Sequence, residues 1–222
     1  EDQLKSILFD AGPDLGHPRV VGKFDGASAW AASAGAPVLS MVGELNPAVI
    51  AELITGYTAL GDGESCLRLA RRLAEIQPNS PSSHYKLFVA NLSIGRTADA
   101  ITVFTNYEQL LRLHSNRLIA LTFVGMCYLL EGQPVEAEAP LDQALALHPD
   151  YHLALKWKAI VAADCGEERV ALAAIRRLRE VEPAMSIDQH VWQIDRNPHL
   201  AKRSVEAVAT LRRLWDASGG AG

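Results

Sequence analysis

The sequence predicts an all-α fold, an array of about four helix hairpins closed by a C-terminal capping helix. Three observations predict it. Gly61, Gly95, Gly132 and Gly166 recur at intervals of 34, 37 and 34 residues. Pro78, Pro149 and Pro183 keep the same beat, 71 and then 34 residues apart. Between these markers run amphipathic stretches of about fourteen residues with apolar positions at helical spacing. Self-similarity at such a period marks stacked two-helix units, each needing its neighbour to bury an apolar face.

Taken in order, residues 1–45 are irregular and Gly-rich, with Gly12, Gly16, Gly22, Gly26, Gly35 and Gly43. Short apolar pieces recur there, Leu4 to Phe9, Val20-Val21, Ala27 to Ala34 and Val38 to Leu45, too apolar for a free tail and so expected to pack on the array. Four repeats follow, over 46–79, 80–116, 117–150 and 151–184. In each, Gly takes the left-handed conformation that closes the first helix, and Pro, or its substitute in the second repeat, ends the second helix. Asn46-Pro47, Ser80-Pro81 and Asn197-Pro198 place a capping side chain before a Pro at the first helical position, where its missing N–H costs nothing.

Two irregularities carry predictions. The interval from Gly95 to Gly132 holds three extra residues and replaces the terminal Pro by Arg112-Leu113-His114, which predicts an outer helix one turn longer in the second hairpin. Pro140 lies inside the helix expected over 133–147, and the cost of about 3 kcal/mol for an interior Pro predicts a kink near Glu136 to Pro140. After Pro183 the period stops. A short helix over Met185 to Ile194 and a final helix from Pro198 form the cap, residues 185–217, before a disordered tail over 218–222. The last helix carries Val205, Val208, Leu211, Leu214 and Trp215 on one stripe, the face that would cover the terminal hairpin.

Composition narrows the function classes. A net charge of −5 gives no general affinity for polyanions, so nucleic acid is not an expected partner. No uncharged apolar run reaches the roughly 18 residues of a membrane span, and no signal segment follows Glu1, so the expected location is the cytoplasm and the chain reads as a fragment of a longer protein. Cys66, Cys127 and Cys165 are far apart and odd in number, which suits reduced thiols buried as small hydrophobes.

The third unit carries Leu121, Val124-Gly125, Tyr128, Ala137, Leu141 and Pro149 in order, and the fourth Leu155, Lys158-Ala159, Ala162, Ala171, Ile175 and Pro183. The first gives Ile50, Leu53-Ile54, Tyr57, Cys66, Ala70 and Pro78, and the second His84, Leu87-Phe88, Asn91, Ala100 and Phe104. This series resembles the tetratricopeptide repeat (TPR). The resemblance implies a right-handed α-solenoid whose concave groove is lined by the first helix of each hairpin. Carried over position by position, it implies a groove of Ala48, Ala51, Thr55, Thr58 and Ala59, then Ser82, Tyr85, Val89, Leu92 and Ser93. The third unit adds Ile119, Thr122, Met126, Leu129 and Leu130, the fourth Leu153, Lys156, Ile160, Ala163 and Asp164. Only Lys156 and Asp164 are charged in that set, and the Lys and Asn residues by which one subfamily clamps a C-terminal carboxylate are missing. The run from Ala171 to Trp215 also resembles the tail that follows the repeats in some bacterial class III nucleotide cyclases and winged-helix transcriptional activators.

No motif in the chain points to catalysis or a cofactor. Ala31-Ala32-Ser33-Ala34-Gly35 lacks the strand, helix and partners of a nucleophile elbow, and Gly61-Asp62-Gly63 lacks the third glycine of a dinucleotide loop. His148 and His152 have the i, i+4 spacing of metal ligands, but Pro149 breaks the helix between them and no third ligand is evident, so no metal is expected. The expected function is a non-catalytic protein- or peptide-binding scaffold with an apolar groove, its ligand an apolar segment, the chain's own residues 20–45 among the candidates. The second expectation is a regulatory or dimerisation region of a bacterial signalling protein, with a homodimer as one form.

Overall fold

The computed structural model describes residues 46–189, 191 and 205–219. The expectations for residues 1–45, for the Asn197-Pro198 helix start and for residues 220–222 lie outside these. The described helices are α1 Pro47–Leu60, α2 Gly63–Ile76, α3 Pro81–Ser93, α4 Thr97–Leu111, α5 Arg117–Leu130, α6 Pro134–Leu147, α7 His152–Asp164, α8 Glu168–Val181 and α9 Val205–Gly219. Among the described residues there is no strand. The chain divides into two compact units, Glu1–His114 and Ser115–Gly222, each with two hairpins.

All four inner turns are built alike. Gly61, Gly95, Gly132 and Gly166 sit at φ of 72°, 78°, 85° and 78°, where a side chain would strain the backbone. The N–H of Gly61 donates to the Thr58 carbonyl (3.1 Å) and that of Asp62 to the Tyr57 carbonyl (3.0 Å), the two bonds of a Schellman motif. The carbonyl of Asp62 then accepts from Cys66 N (3.1 Å) and so opens α2. Arg96, Gln133 and Glu167 do the same at the other turns, each ending one helix with its N–H and starting the next with its C=O.

The outer turns also repeat. The carbonyls of Gln77, His148 and Glu182 accept from Ser80, Tyr151 and Met185 N at 3.0–3.1 Å, with Pro78, Pro149 and Pro183 at the second turn position. The third of these follows Pro183, and Ile187 to Gln189 are helical, so the beat expected to stop there extends through one further helix start. Chain chemistry explains it: Pro pushes the preceding residue out of the helical region and fixes its own φ, whatever comes next.

In the first unit, Ile50, Leu53, Ile54 and Tyr57 of α1 bury against Leu67, Ala70 and Leu73 of α2, with Ala90 of α3 in the same cluster. Gly63 allows a contact that its sequence context did not suggest. A Cβ there would lie 2.2 Å from Ile94 Cγ2, so the second hairpin packs directly on the backbone of α2. In the second unit, Gly125 is the expected close approach. A Cβ there would lie 2.7 Å from Leu141 Cγ and 3.3 Å from the Ala137 carbonyl.

Two local expectations are corrected. The three extra residues do not build another turn of helix. α4 has 15 residues against 14 in α2, and the remainder goes to the link at 112–116 and to α5. α6 runs as one helix from Pro134 to Leu147 through Pro140. Proline's φ is itself helical, and Glu136, whose carbonyl loses a donor, is exposed, so water can replace the missing bond. The break in helical geometry falls instead at Tyr107 in α4 (φ −119°, ψ 19°), whose ring stacks on buried His84 with centroids 3.5 Å apart.

α9 packs on α7 and α8 through Ala207, Leu211, Leu214 and Trp215. Val205, expected on this stripe, is 63% exposed, and the helix continues to Gly219, past the residue where a disordered tail was expected to begin. The Arg179 guanidinium lies 5.0 Å over the Trp215 ring and donates to the Trp215 carbonyl (2.9 Å) and Ser218 Oγ (3.0 Å), placing a cation at the negative end of α9.

Gly125→Ala should separate the two uses of glycine. Overpacking against Leu141 costs about 1–3 kcal/mol, opposed by about 1 kcal/mol of helix propensity gained. A net loss is expected in urea unfolding followed by circular dichroism, and with Leu141→Ala added the combined loss should be smaller than the sum of the single losses. Gly166→Ala meets nothing within 4 Å, so its cost of about 1 kcal/mol is backbone alone and should be simply additive with Leu141→Ala.

Candidate functional site

The first helices divide sharply by exposure. On α1, Ala48, Thr55 and Ala59 are exposed and Ala51 and Thr58 half-buried, the threonine hydroxyls turned back onto the Ala51 and Ile54 carbonyls. On α3, which touches α1, Ser82 is exposed, Tyr85 and Val89 are half-buried, and Leu92 and Ser93 are buried. Tyr85 stacks on His114 with centroids 4.3 Å apart, so the segment that replaces the missing proline fixes an aromatic ring on this face.

Lys86 stands beside Tyr85 and was absent from the groove positions expected from sequence. Its ammonium reaches the Ala51 carbonyl (3.5 Å) and makes no ion pair among the described residues. Burial lowers its pKa, opposed by nearby Glu52. His114 is likewise lowered, by burial first and then by Lys86. The sequence signal was available, since a Lys next to a groove position can reach the adjacent hairpin.

The second unit is different. Ile119 and Leu130 are half-buried on α5, but Thr122, Met126 and Leu129 are buried, the last two at 0% exposure. On α7 every residue from Leu153 to Ala163 is buried, so Leu153, Lys156, Ile160 and Ala163 are interior and only Asp164 reaches partial exposure. α5 and α7 touch, which brings the two rows onto adjacent helices. A helix buried all round has no polar face, and here it contains two lysines. Lys158 answers this with an ion pair to Asp142 on α6 (2.8 Å). Lys156, expected as the exposed charge of the groove, is 6% exposed and donates to the Gln189 carbonyl (3.3 Å). Burial lowers its pKa to about 8 against a smaller upward pull from Glu182.

The remaining reactive groups are satisfied locally. The Cys66 thiol lies 3.3 Å from Thr58 Oγ1 and donates to the Ile54 carbonyl (3.4 Å), and burial raises its pKa. Cys127 is buried and Cys165 partly so, both free. His148 is in extended geometry at the end of α6, while His152 on α7 faces Glu182 (3.5 Å). Among the described residues no group of three His, Cys, Asp or Glu could hold a metal ion, and no helix is long and apolar enough to cross a membrane.

No protein-family model and no curated protein matches the chain. Solved structures do. MamA residues 41 to end from Desulfovibrio magneticus RS-1 aligns with TM-score 0.58 at 19% identity, over 79% of this chain and 97% of that one. YrrB, described as a TPR protein with an unusual peptide-binding site, aligns with TM-score 0.57 at 14% identity, over 83% and 98%. PilW, a type IV pilus biogenesis factor, aligns with TM-score 0.58 at 19% identity, over 86% and 94%. At these identities the likeness establishes the fold, an all-α array of TPR-type hairpins. None of these neighbours is a nucleotide cyclase or a winged-helix activator, so the resemblance seen in residues 171–215 gains no support.

Lys156 makes stability depend on pH in a defined direction. Its folded pKa of about 8 lies below the ordinary lysine value of 10.5, so the burial penalty is fully present below pH 8. Between pH 8 and 10.5 the unfolded chain keeps a proton that the folded chain has lost, and stability rises with pH. Lys156→Met should therefore be more stable than wild type at pH 7, on the order of 2–3 kcal/mol, with the gap closing toward pH 10 in paired urea titrations.

Proposed function

We propose that the chain is a non-catalytic scaffold that binds a protein or peptide segment along the first-helix faces of its hairpins, with the α1–α3 face as the part open to a ligand. The observation that carries this reading is the α3 face itself. Tyr85 and Val89, one helical turn apart, are partly exposed on α3, and Ala48, Thr55 and Ala59 are exposed on α1, which α3 touches. A half-exposed aromatic ring on a rigid helix supplies contact area at little entropic cost, the usual basis of a binding hot spot, and Val89 extends the apolar surface beside it.

The ligand this face suits is an apolar segment that also offers an acceptor. Its side chains would cover Tyr85 and Val89, and a carbonyl or carboxylate would meet Lys86, which among the described residues makes one long hydrogen bond, to a backbone carbonyl. The Tyr85–His114 stack holds the ring in place before any ligand arrives. That YrrB, a neighbour in fold, is described as having a peptide-binding site supports this class of ligand.

Variants at Met126 or Leu129 are poor probes, because an Asp at a fully buried position unfolds the hairpin rather than blocking a surface. Tyr85→Ala and Val89→Asp are better. Peptides selected on wild type from a display library of apolar sequences, with a synthetic peptide of residues 20–45 included, should lose about tenfold or more in affinity to either variant. Thermal unfolding of both should stay near wild type. If every selected peptide binds both variants as tightly as wild type, the α3 face is not the site.

A further inference from the structure

The α3 face carries one cation whose bonding is incomplete. Lys86 is half-buried, and its ammonium reaches one acceptor among the described residues, the Ala51 carbonyl at 3.5 Å. That oxygen is already in use. Ala51 lies inside α1, where its carbonyl serves the helix, and it also accepts from Thr55 Oγ1 (3.1 Å). The acidic side chain that bears on Lys86 is the exposed Glu52 of α1, which makes no ion pair with it. A half-buried ammonium left with a shared, neutral acceptor is a better partner for an anion than for a second carbonyl.

His114 feels the same ammonium. Its ring lies on Tyr85 with centroids 4.3 Å apart and planes 18° from parallel, and it is itself half-buried. Burial, and after it the charge of Lys86, hold its pKa below the usual histidine value, so the free face favours the neutral ring. The stack does not oppose protonation, because the electron-rich face of a tyrosine attracts an imidazolium. On its own segment, Arg112 is paired with Glu108 (2.7 Å). A ligand on this face changes both influences, with a sign that depends on its charge. A neutral apolar segment adds burial and so favours the uncharged ring. A carboxylate beside Lys86 offsets that charge and gives a ring N–H an acceptor, which favours the charged ring.

We propose that the acceptor this face takes is a carboxylate, held by Lys86 together with a His114 that gains a proton as the ligand docks. The assignment rests on the α3 face being a ligand surface, and it adds what that reading leaves open, the charge of the ligand and the response to pH. By linkage, a ligand that stabilises the charged ring binds more tightly as pH falls, and one that stabilises the neutral ring does not. The site thereby separates acidic from neutral apolar segments most strongly in mildly acid solution.

The test uses the full chain and three synthetic probes: acetyl-leucyl-leucine with a free carboxylate, its C-terminal amide, and an amide-ended leucine peptide with one internal aspartate. Between about pH 8 and about pH 6, affinity measured by calorimetry should rise about threefold or more for a carboxylate probe and stay flat or fall for the amide. Which of the two carboxylate probes shows the rise identifies a chain end or an acidic side chain as the source. His114→Phe, which keeps a ring on Tyr85, should bind that probe as wild type does at the higher pH and lose the rise. Lys86→Gln should lose the preference for carboxylate over amide. With no probe present, it should also raise the pH at which the His114 ring titrates in proton NMR. The proposal is overturned if carboxylate and amide probes bind wild type alike at the lower pH, if the rise survives His114→Phe, or if Lys86→Gln leaves the His114 titration in place. Binding of the amide but of neither carboxylate overturns it and leaves the α3 face standing as a site. Binding of no probe, or binding that Tyr85→Ala does not weaken, removes the face itself.

Discussion

The structure depends on one backbone joint, used four times. The residue after each left-handed glycine donates its N–H to close one helix and offers its C=O to open the next, so two helices share one residue, and only that residue, the glycine and at most one more lie between them. Helix ends normally leave several polar groups without partners. Sharing the joint satisfies both ends in the smallest number of residues and keeps the paired helices close. Gly125 against Ala137 then becomes necessary, since helices joined so tightly meet at distances that admit no larger side chain, and Gly63 meets the same demand between hairpins, against Ile94.

Backbone punctuation was legible in the sequence because it is local. A glycine at φ near 78° and a proline that cannot continue a helix act whatever surrounds them, and both periods follow from that. The turn at Pro183 follows from the same proline, and the hydrogen bond of the other two outer turns forms there although the side-chain pattern beyond it weakens. Pro140 was misleading. Its interior position suggested a kink, yet a proline is itself a helical residue, and the loss of one donor beside an exposed carbonyl is tolerated. The irregular backbone at Tyr107 had no sequence marker, because it accompanies the stack on His84, a contact between helices.

The candidate site was less legible for a related reason. Repeat positions locate a side chain on the first helix but do not say what lies over it. Tyr85 and Val89 remain partly exposed, while Met126 and Ile160 at an equivalent position of later repeats are closed off. Charge misled in the same way. Lys156 is the Lys that the repeat pattern put in the groove, and it is interior. Lys86, one residue from a groove position, is the cation that the α3 face carries.

A joint made of main chain alone asks nothing of its side chain, and the four joints carry Asp62, Arg96, Gln133 and Glu167, one cation, one neutral amide and two acids, of which Asp62 alone caps its helix. Their neighbours treat them differently, since Asp62 caps Ser65 while Arg96 reaches Glu64 on the preceding hairpin. The rim of the hairpins is therefore a place where electrical character drifts freely under mutation. An array of this type can acquire a new charge pattern at its edge, at Arg96, Gln133 and Glu167, without removing a side-chain cap from any helix.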